Sequence, residues 1–248
     1  MGRFDGTVAL VSGGARGMGA SHVRALVGEG AKVVFGDILD DEGKLVAEEL
    51  GDASVYVHLD VTQSDHWEQA VETAERDYGP IDLLINNAGI VSFGPIDQMP
   101  PDEFRRVIDI NLTGTYLGMH HAIPSMRRAR GGVIINISST AGLMGYANIG
   151  AYTASKWGVR GLTKAAALEL GNDGIRVVSV HPGPIRTPMI EGIGDDIAAS
   201  QPIKRVGEPE EVTKMVLFLA ADATYSTGSE FVVDGGAVLG PMIDLPEQ

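Results

Sequence analysis

Seven short apolar runs rich in β-branched residues punctuate the chain, and they constrain its fold more than any other feature. They are Thr7–Ser12, Lys32–Asp37, Ser54–Leu59, Leu83–Asn86, Val133–Ser138, Arg176–His181 and Glu230–Val233. Most are apolar throughout rather than alternating, the pattern of strands buried on both faces of a parallel sheet. Helical periodicity fills the gaps. The clearest helix is predicted over Ser64–Tyr78, with Trp67, Ala70, Val71, Ala74 and Tyr78 on one stripe, Ser64 as N-cap and Gly79-Pro80 as the stop. Another begins near Pro209 and aligns Val212, Met215, Val216 and Leu219. Strands alternating with helices imply right-handed βαβ units. The expected fold is α/β, with a seven-stranded parallel doubly wound sheet and helices on both faces. With 248 residues and no linker, repeat or composition break, the chain reads as a single domain spanning 1–248. Only Glu191–Ser200, rich in Gly, Asp and Ala, fits neither period; it is expected to be a surface segment within a substrate lid at about 188–207.

Composition narrows the function. Glycine supplies 33 of 248 residues, about 13%, against a usual share of roughly 7%. It follows no Gly-X-Y period, and the hydrophobic content of 44% excludes collagen-like and disordered readings. The absence of cysteine excludes disulfides and thiolate metal sites. The histidines are scattered, and the adjacent His120 and His121 diverge on a helix, so no metal is expected. No apolar run approaches the ~20 residues of a membrane span. The first residues lack a signal-peptide core, and the expected location is the cytoplasm. A net charge of 19 − 33 = −14 disfavours nucleic acid and anionic membranes as partners.

The first run ends in Ser12-Gly13-Gly14-Ala15-Arg16-Gly17-Met18-Gly19, and an amphipathic helix carrying Val23, Leu26 and Val27 follows. A glycine turn that exposes backbone N–H groups at a helix N-terminus suits a phosphate, and its place between strand and helix points to a dinucleotide. Gly13, Gly17 and Gly19 are expected to make room for the pyrophosphate. The second run ends at Asp37, 18 residues after Gly19. A carboxylate there can accept from both adenine-ribose hydroxyls and repels a 2′-phosphate, which favours NAD over NADP. Arg16 pulls toward NADP, with less weight. Asp60 and Val61 after the third run suit the adenine. Asn87, Ala88 and Gly89 end the fourth run, where ligands of open α/β sheets bind; Asn87 either caps backbone groups or lines the cleft.

Tyr152 and Lys156 stand four residues apart, on one face of a predicted helix. A phenol has a pKa near ~10, and a neighbouring ammonium favours its ionised form, making Tyr152 a usable acid or base near neutral pH.

Together these pieces resemble the short-chain dehydrogenase/reductase family over almost the whole chain. The matching residues are Ser12–Gly19, Asp60, Asn86–Gly89, Asn111, Ser139, Tyr152, Lys156 and Pro182-Gly183 with Thr187, in family order and with the family's 13-residue step from Ser139 to Tyr152. The resemblance implies a Rossmann fold and an NAD(H)-dependent exchange between a ketone and an alcohol. It implies that Tyr152 moves the proton, Ser139 steadies the substrate oxygen, Lys156 holds the nicotinamide ribose and lowers the Tyr152 pKa, and Asn111 positions a relay water. It also implies that the Ile185 backbone and the Thr187 hydroxyl hold the nicotinamide carboxamide, with Pro182 and Gly183 beside the cofactor at the end of their strand. Spacing selects Ser139 over its neighbour Ser138. Two positions depart from the family: Ser12 replaces Thr, and Val178 replaces Asn.

Within the family the chain is most similar to bacterial hydroxysteroid dehydrogenases acting at the 3α and 20β positions. The stretches Gly142–Gly145, Ser155–Leu162 and Phe231–Gly236 carry that likeness. The substrate pocket is expected around Ser92, Phe93, Leu143, Met144, Tyr146 and Met189, which suits a small hydrophobic alcohol or ketone. Terpenoid and cyclic ketones fit the same residues. A 3-oxoacyl-carrier-protein reductase is the rival enzyme reading, opposed by Asp37 and the acidic charge; Arg127, Arg128 and Arg130 are its one candidate docking patch. A non-catalytic NAD-binding sensor is the remaining alternative, and retention of Tyr152 and Lys156 argues against it. The family likeness implies a homotetramer, with helices around Asn111–Arg130 and Tyr152–Leu170 at an interface.

Overall fold

The strands form where β-branched residues cluster: β1 (Val8–Ser12), β2 (Lys32–Asp37), β3 (Ser54–His58), β4 (Leu83–Asn86), β5 (Gly132–Ile137), β6 (Ile175–Pro182) and β7 (Glu230–Val233). In the computed structural model, which describes residues 2–240, they make one parallel sheet in the order β3-β2-β1-β4-β5-β6-β7. Met1 and residues 241–248 of the expected 1–248 domain lie outside the described residues. The helices are α1 (Gly17–Gly28), α2 (Asp40–Leu50), α3 (Ser64–Asp77), α4 (Pro101–Ile108), α5 (Gly114–Ala129), α6 (Gly150–Leu170) and α7 (Pro209–Ala221).

Alternate strand residues feed two cores. Ala9, Val11, Val33, Phe35, Ile135, Val178 and Val180 pack with Val23 and Leu26 of α1, Val46 of α2, and Val212 and Val216 of α7. Leu10, Val34, Leu84, Ile134 and Val177 pack with Trp67 of α3, Met119 and Ala122 of α5, and Ala166 and Leu170 of α6. Both faces of the sheet are covered, so the strands show no polar alternation. Val178, where the family has Asn, is fully buried among apolar side chains.

Several local expectations change. Ser64 is the first residue of α3 rather than its cap: Gln63 holds the cap position without a side-chain bond. The Ser64 hydroxyl instead meets His121 Nε2 of α5 at 2.7 Å, so a tertiary partner outcompetes the local one. The start of α7 carries a reciprocal capping box between Glu208 and Glu211, a signal the apolar stripe alone did not reveal. The 191–200 segment contains a short 3₁₀ turn at Asp195–Ala198, and Ala198 is fully buried. Between α4 and α5 the chain makes a π turn at Asp109–Thr113, which carries Asn111 inward. Among the described residues, no helix is long and apolar enough to cross a membrane, and no group of three or more metal-ligating side chains occurs.

The strand order runs outward from β1 in one direction and from β4 in the other. At that reversal the C-terminal ends of β1 and β4 leave a crevice, the usual ligand position in open α/β sheets.

Candidate active site

A cleft of about 350 Å³ occupies this crevice. Its lining unites Gly13, Arg16, Gly17 and Met18 of the glycine loop, Asp37 at the end of β2, Asp60 and Val61 after β3, Asn87, Ala88 and Gly89 after β4, and Thr187 after β6. Ile38, Leu39, Leu59, Ile90, Val91, Ile110, Pro188 and Met189 complete it, so Met189, expected in the substrate pocket, also borders this cleft. The others carry no motif; only their positions beside the strand ends could have singled them out. Gly19, Pro182, Gly183, Ile185, Tyr152 and Lys156 are not part of this lining.

The glycines act differently from expectation. Gly13 has φ +66°, and a Cβ there would fall 2.8 Å from Ala88 Cα. A Cβ at Gly19 would lie 1.9 Å from the Gly13 carbonyl oxygen. The space at both positions is taken by the protein's own backbone, so these glycines let the loop fold tightly over the strand ends instead of leaving room for a pyrophosphate. Asn87 holds this turn, donating from Nδ2 to the carbonyls of Ser12 (3.1 Å) and Gly13 (2.9 Å). The Ser12 hydroxyl accepts from the N–H groups of Asn87 (3.1 Å) and Ala88 (3.2 Å), so serine serves here with no need of threonine's methyl group. Asn87 therefore both caps backbone and lines the cleft. Its Oδ1 is buried without a partner, the kind of atom that a bound donor satisfies.

Asp37 accepts from the N–H of Ala15 at Oδ2 (3.1 Å) and from those of Ile38 (2.8 Å) and Leu39 (3.2 Å) at Oδ1. An ionised carboxylate offers about four acceptor sites, so one remains at Oδ2. Asp60 Oδ1 takes both the N–H (2.9 Å) and the hydroxyl (2.7 Å) of Thr62. The Val61 carbonyl is held by the indole N–H of Trp67 at 3.0 Å. After β6, Gly183 N–H bonds the Val233 carbonyl (3.0 Å) and Arg186 N–H bonds that of Gly207 (2.8 Å), which fixes the Pro182–Thr187 turn. These donors, carboxylates and the orphaned amide oxygen fit a nicotinamide dinucleotide.

Beyond β5, Ser139 stands in extended conformation and its Oγ accepts from Ala141 N–H at 3.1 Å. The same hydroxyl faces Tyr152 and favours its ionised form. Ser138 turns the other way and donates to the Lys156 carbonyl at 3.1 Å. On α6, Lys156 is buried, with Nζ donating to the Ile137 carbonyl at 2.8 Å and lying 5.5 Å from the Tyr152 ring centroid. Asn111 is fully buried, its Oδ1 accepting from Ile90 N–H (2.8 Å) and its Nδ2 donating to Ser155 Oγ (3.0 Å). A Cβ at Gly89 would sit 3.2 Å from Asn111 Oδ1 and 3.5 Å from Lys156 Nζ, so that glycine lets both approach. Ser155, which links Asn111 to the Tyr152 carbonyl, has no signature in the sequence.

Contrary to the expectation from the Tyr-x-x-x-Lys spacing, burial pushes the Tyr152 phenol up, and the nearby Ser139 hydroxyl only partly opposes it. Burial also draws Lys156 down to about 8. Desolvation outweighs the attraction because both groups leave water together.

A family model described as enoyl-(acyl carrier protein) reductase matches residues 13–238. The chain belongs to the short-chain dehydrogenase/reductase family. It is 57% identical over 240 residues to the 3-alpha-(or 20-beta)-hydroxysteroid dehydrogenase of Mycobacterium tuberculosis (strain ATCC 25618 / H37Rv), covering 96% of this chain and 92% of that one. It is 47% identical over 243 residues to trans-4-hydroxycyclohexanecarboxylate dehydrogenase of Sinomonas cyclohexanicum, covering 94% and 93%. Against cyclopentanol dehydrogenase of Comamonas testosteroni the identity is 42% over 246 residues, covering 95% and 98%. As a member of this family, the protein is an oxidoreductase acting on CH–OH groups.

Proposed function

We propose that this short-chain dehydrogenase/reductase uses NAD(H) to interconvert a hydrophobic secondary alcohol and its ketone, with a 3α- or 20β-hydroxysteroid as the first substrate class and cyclic alcohols as the second. The observation that carries the reading is the buried Lys156 ammonium 5.5 Å from the Tyr152 ring centroid, with the Ser139 hydroxyl facing the same phenol. Bound in the cleft, the nicotinamide dinucleotide supplies or accepts the hydride. Ser139 donates a hydrogen bond to the substrate oxygen, and Tyr152 gives that oxygen a proton or removes it. The raised phenol holds its proton at neutral pH, which suits ketone reduction. Lys156 holds the ribose and, when protonated, favours the phenolate in the reverse direction. Asn111, bridged to the Tyr152 carbonyl by Ser155, steadies the helix turn between phenol and amine.

Asp37 supports NAD over NADP, since a 2′-phosphate would meet its carboxylate, and among the described residues lining the cleft the exposed Arg16 is the one cation. Phe93, Met144, Tyr146, Met189, Ile197 and Ile203 are exposed apolar side chains on three loops. The first two loops are tied by the Gly94 N–H to the Asn148 carbonyl at 2.8 Å. An extended apolar rim of this kind suits a polycyclic substrate, with residues 188–207 as its lid. Docking of a carrier protein is disfavoured, because Arg127 already pairs with Asp173 and Arg128 with Glu75. Exposed Tyr116 on α5 and Trp157 and Leu168 on α6 support a homotetramer. A cytoplasmic location belongs to the same reading, as the reaction draws on a dinucleotide held inside the cell.

The test is reduction of NAD⁺ and NADP⁺ by hydroxysteroids and cyclohexanol, and oxidation of NADH and NADPH by the matching ketones and by β-ketoacyl substrates. Steroid turnover with NADH is expected. Tyr152→Phe should lose about 10²–10⁴-fold in kcat while still binding NADH. Undiminished turnover in that variant would overturn the assignment of Tyr152.

A further inference from the structure

His181 lies on β6, fully buried, and both of its ring nitrogens are engaged. Nδ1 is 3.0 Å from the Ser139 carbonyl oxygen, and Nε2 is 2.9 Å from Ser179 Oγ. A carbonyl can only accept, so Nδ1 carries the proton, and a neutral ring then accepts the Ser179 hydroxyl proton at Nε2. The Ser139 carbonyl thus selects the tautomer, and the Ser179 hydroxyl, donating to Nε2, holds the ring in place. The backbone ladder cannot supply that carbonyl's partner. Its last bond runs from Ser138 N–H to the Val180 carbonyl at 2.8 Å, and β6 then ends at Pro182, which has no N–H to donate. The charged groups nearest the ring are Glu230 on β7 and Arg160 and Lys156 on α6, and burial keeps the imidazole neutral.

We infer that His181 is a positioning residue for Ser139: it extends the β5–β6 hydrogen bonding one step past the end of the ladder, so that the Ser139 hydroxyl points at Tyr152 and the substrate oxygen. The inference rests on the role given to Ser139 under the proposed function. It assigns to the residue before Pro182-Gly183 a part in the chemical step, separate from cofactor binding.

The experiment compares His181→Phe, His181→Asn and Ser139→Ala in the full-length chain, reading kcat, the KM for the alcohol and the NADH dissociation constant. His181→Phe keeps ring volume and loses both hydrogen bonds. Its kcat should fall about tenfold or more, as expected when a reacting group is misplaced by a fraction of an ångström, with NADH affinity unchanged. His181→Asn keeps a side-chain donor and should recover part of the loss. A folded His181→Phe protein with kcat within about threefold of the parent overturns the inference. If that variant does not fold, Ser179→Ala decides: a kcat loss at constant NADH affinity supports the inference, and unchanged kcat overturns it. Full activity in Ser139→Ala would instead defeat the reading of Ser139 on which the inference stands.

Discussion

Replacing His22 with leucine should flatten the acid side of the stability curve. His22 sits on α1 against α7, fully buried, with Nδ1 2.8 Å from Thr213 Oγ1 and Nε2 without a partner. Burial draws its pKa from an ordinary 6.5 down to about 3. The unfolded chain therefore binds a proton below pH ~6.5 that the folded chain refuses until far lower. Stability is intact above that value and is lost as pH falls toward 3. At pH 5 the loss is RT ln(1 + 10^1.5), about 2 kcal/mol, and it barely depends on the folded value provided that stays well below 5. Asp82, which burial pushes up to about 6, works in the opposite direction, but it is common to both proteins and cancels in the comparison. Leucine fills the site, and Thr213 Oγ1 keeps its bonds to Ser21 Oγ (2.8 Å) and the Pro209 carbonyl (3.0 Å). Urea unfolding at pH 8 and pH 5 reads the effect. The parent should lose about 2 kcal/mol more than His22→Leu between the two, or roughly 4–8 °C in Tm for a chain of this size. Equal losses in both proteins would refute the burial argument.

Two further substitutions and one control test the cofactor cleft. Asp37→Ser should lower the preference for NADH over NADPH by about tenfold or more, read as the ratio of kcat/KM values; an unchanged ratio would detach Asp37 from cofactor choice. Gly19→Ala drives a Cβ to 1.9 Å from the Gly13 carbonyl oxygen and should weaken NADH binding, read by fluorescence titration. Gly28→Ala, where a Cβ meets nothing within 4 Å, should leave binding unchanged, which separates the tight turn from a general intolerance of alanine.

The glycine loop, Asp37, Asp60 and the Asn87–Gly89 strand end were legible because each lies at a strand terminus, and strand termini in a parallel sheet converge by topology. Tyr152 and Lys156 were legible because helical spacing puts them on one face. His181, Ser155 and the apolar cleft residues were not, since their partners come from segments distant in the chain. His181 and Ser139 are 42 residues apart, and Asn111 and Ser155 are 44 apart. What a Cβ at Gly13 or Gly17 would strike was not legible either, since it depends on Ala88 and Thr187, which no local pattern reveals.

Pattern and punctuation in the chain were enough to determine the α/β class, the seven strands, the place of the glycine loop and the shared helix face of Tyr152 and Lys156, because backbone preference and burial period are local properties. Tertiary structure alone decided two things. It gave Ser64 to His121 instead of its own helix, and it raised the Tyr152 phenol although a lysine stands one turn away. In each case the deciding quantity is which groups are removed from water together and which partner then lies within hydrogen-bond reach, and only the packed molecule sets that.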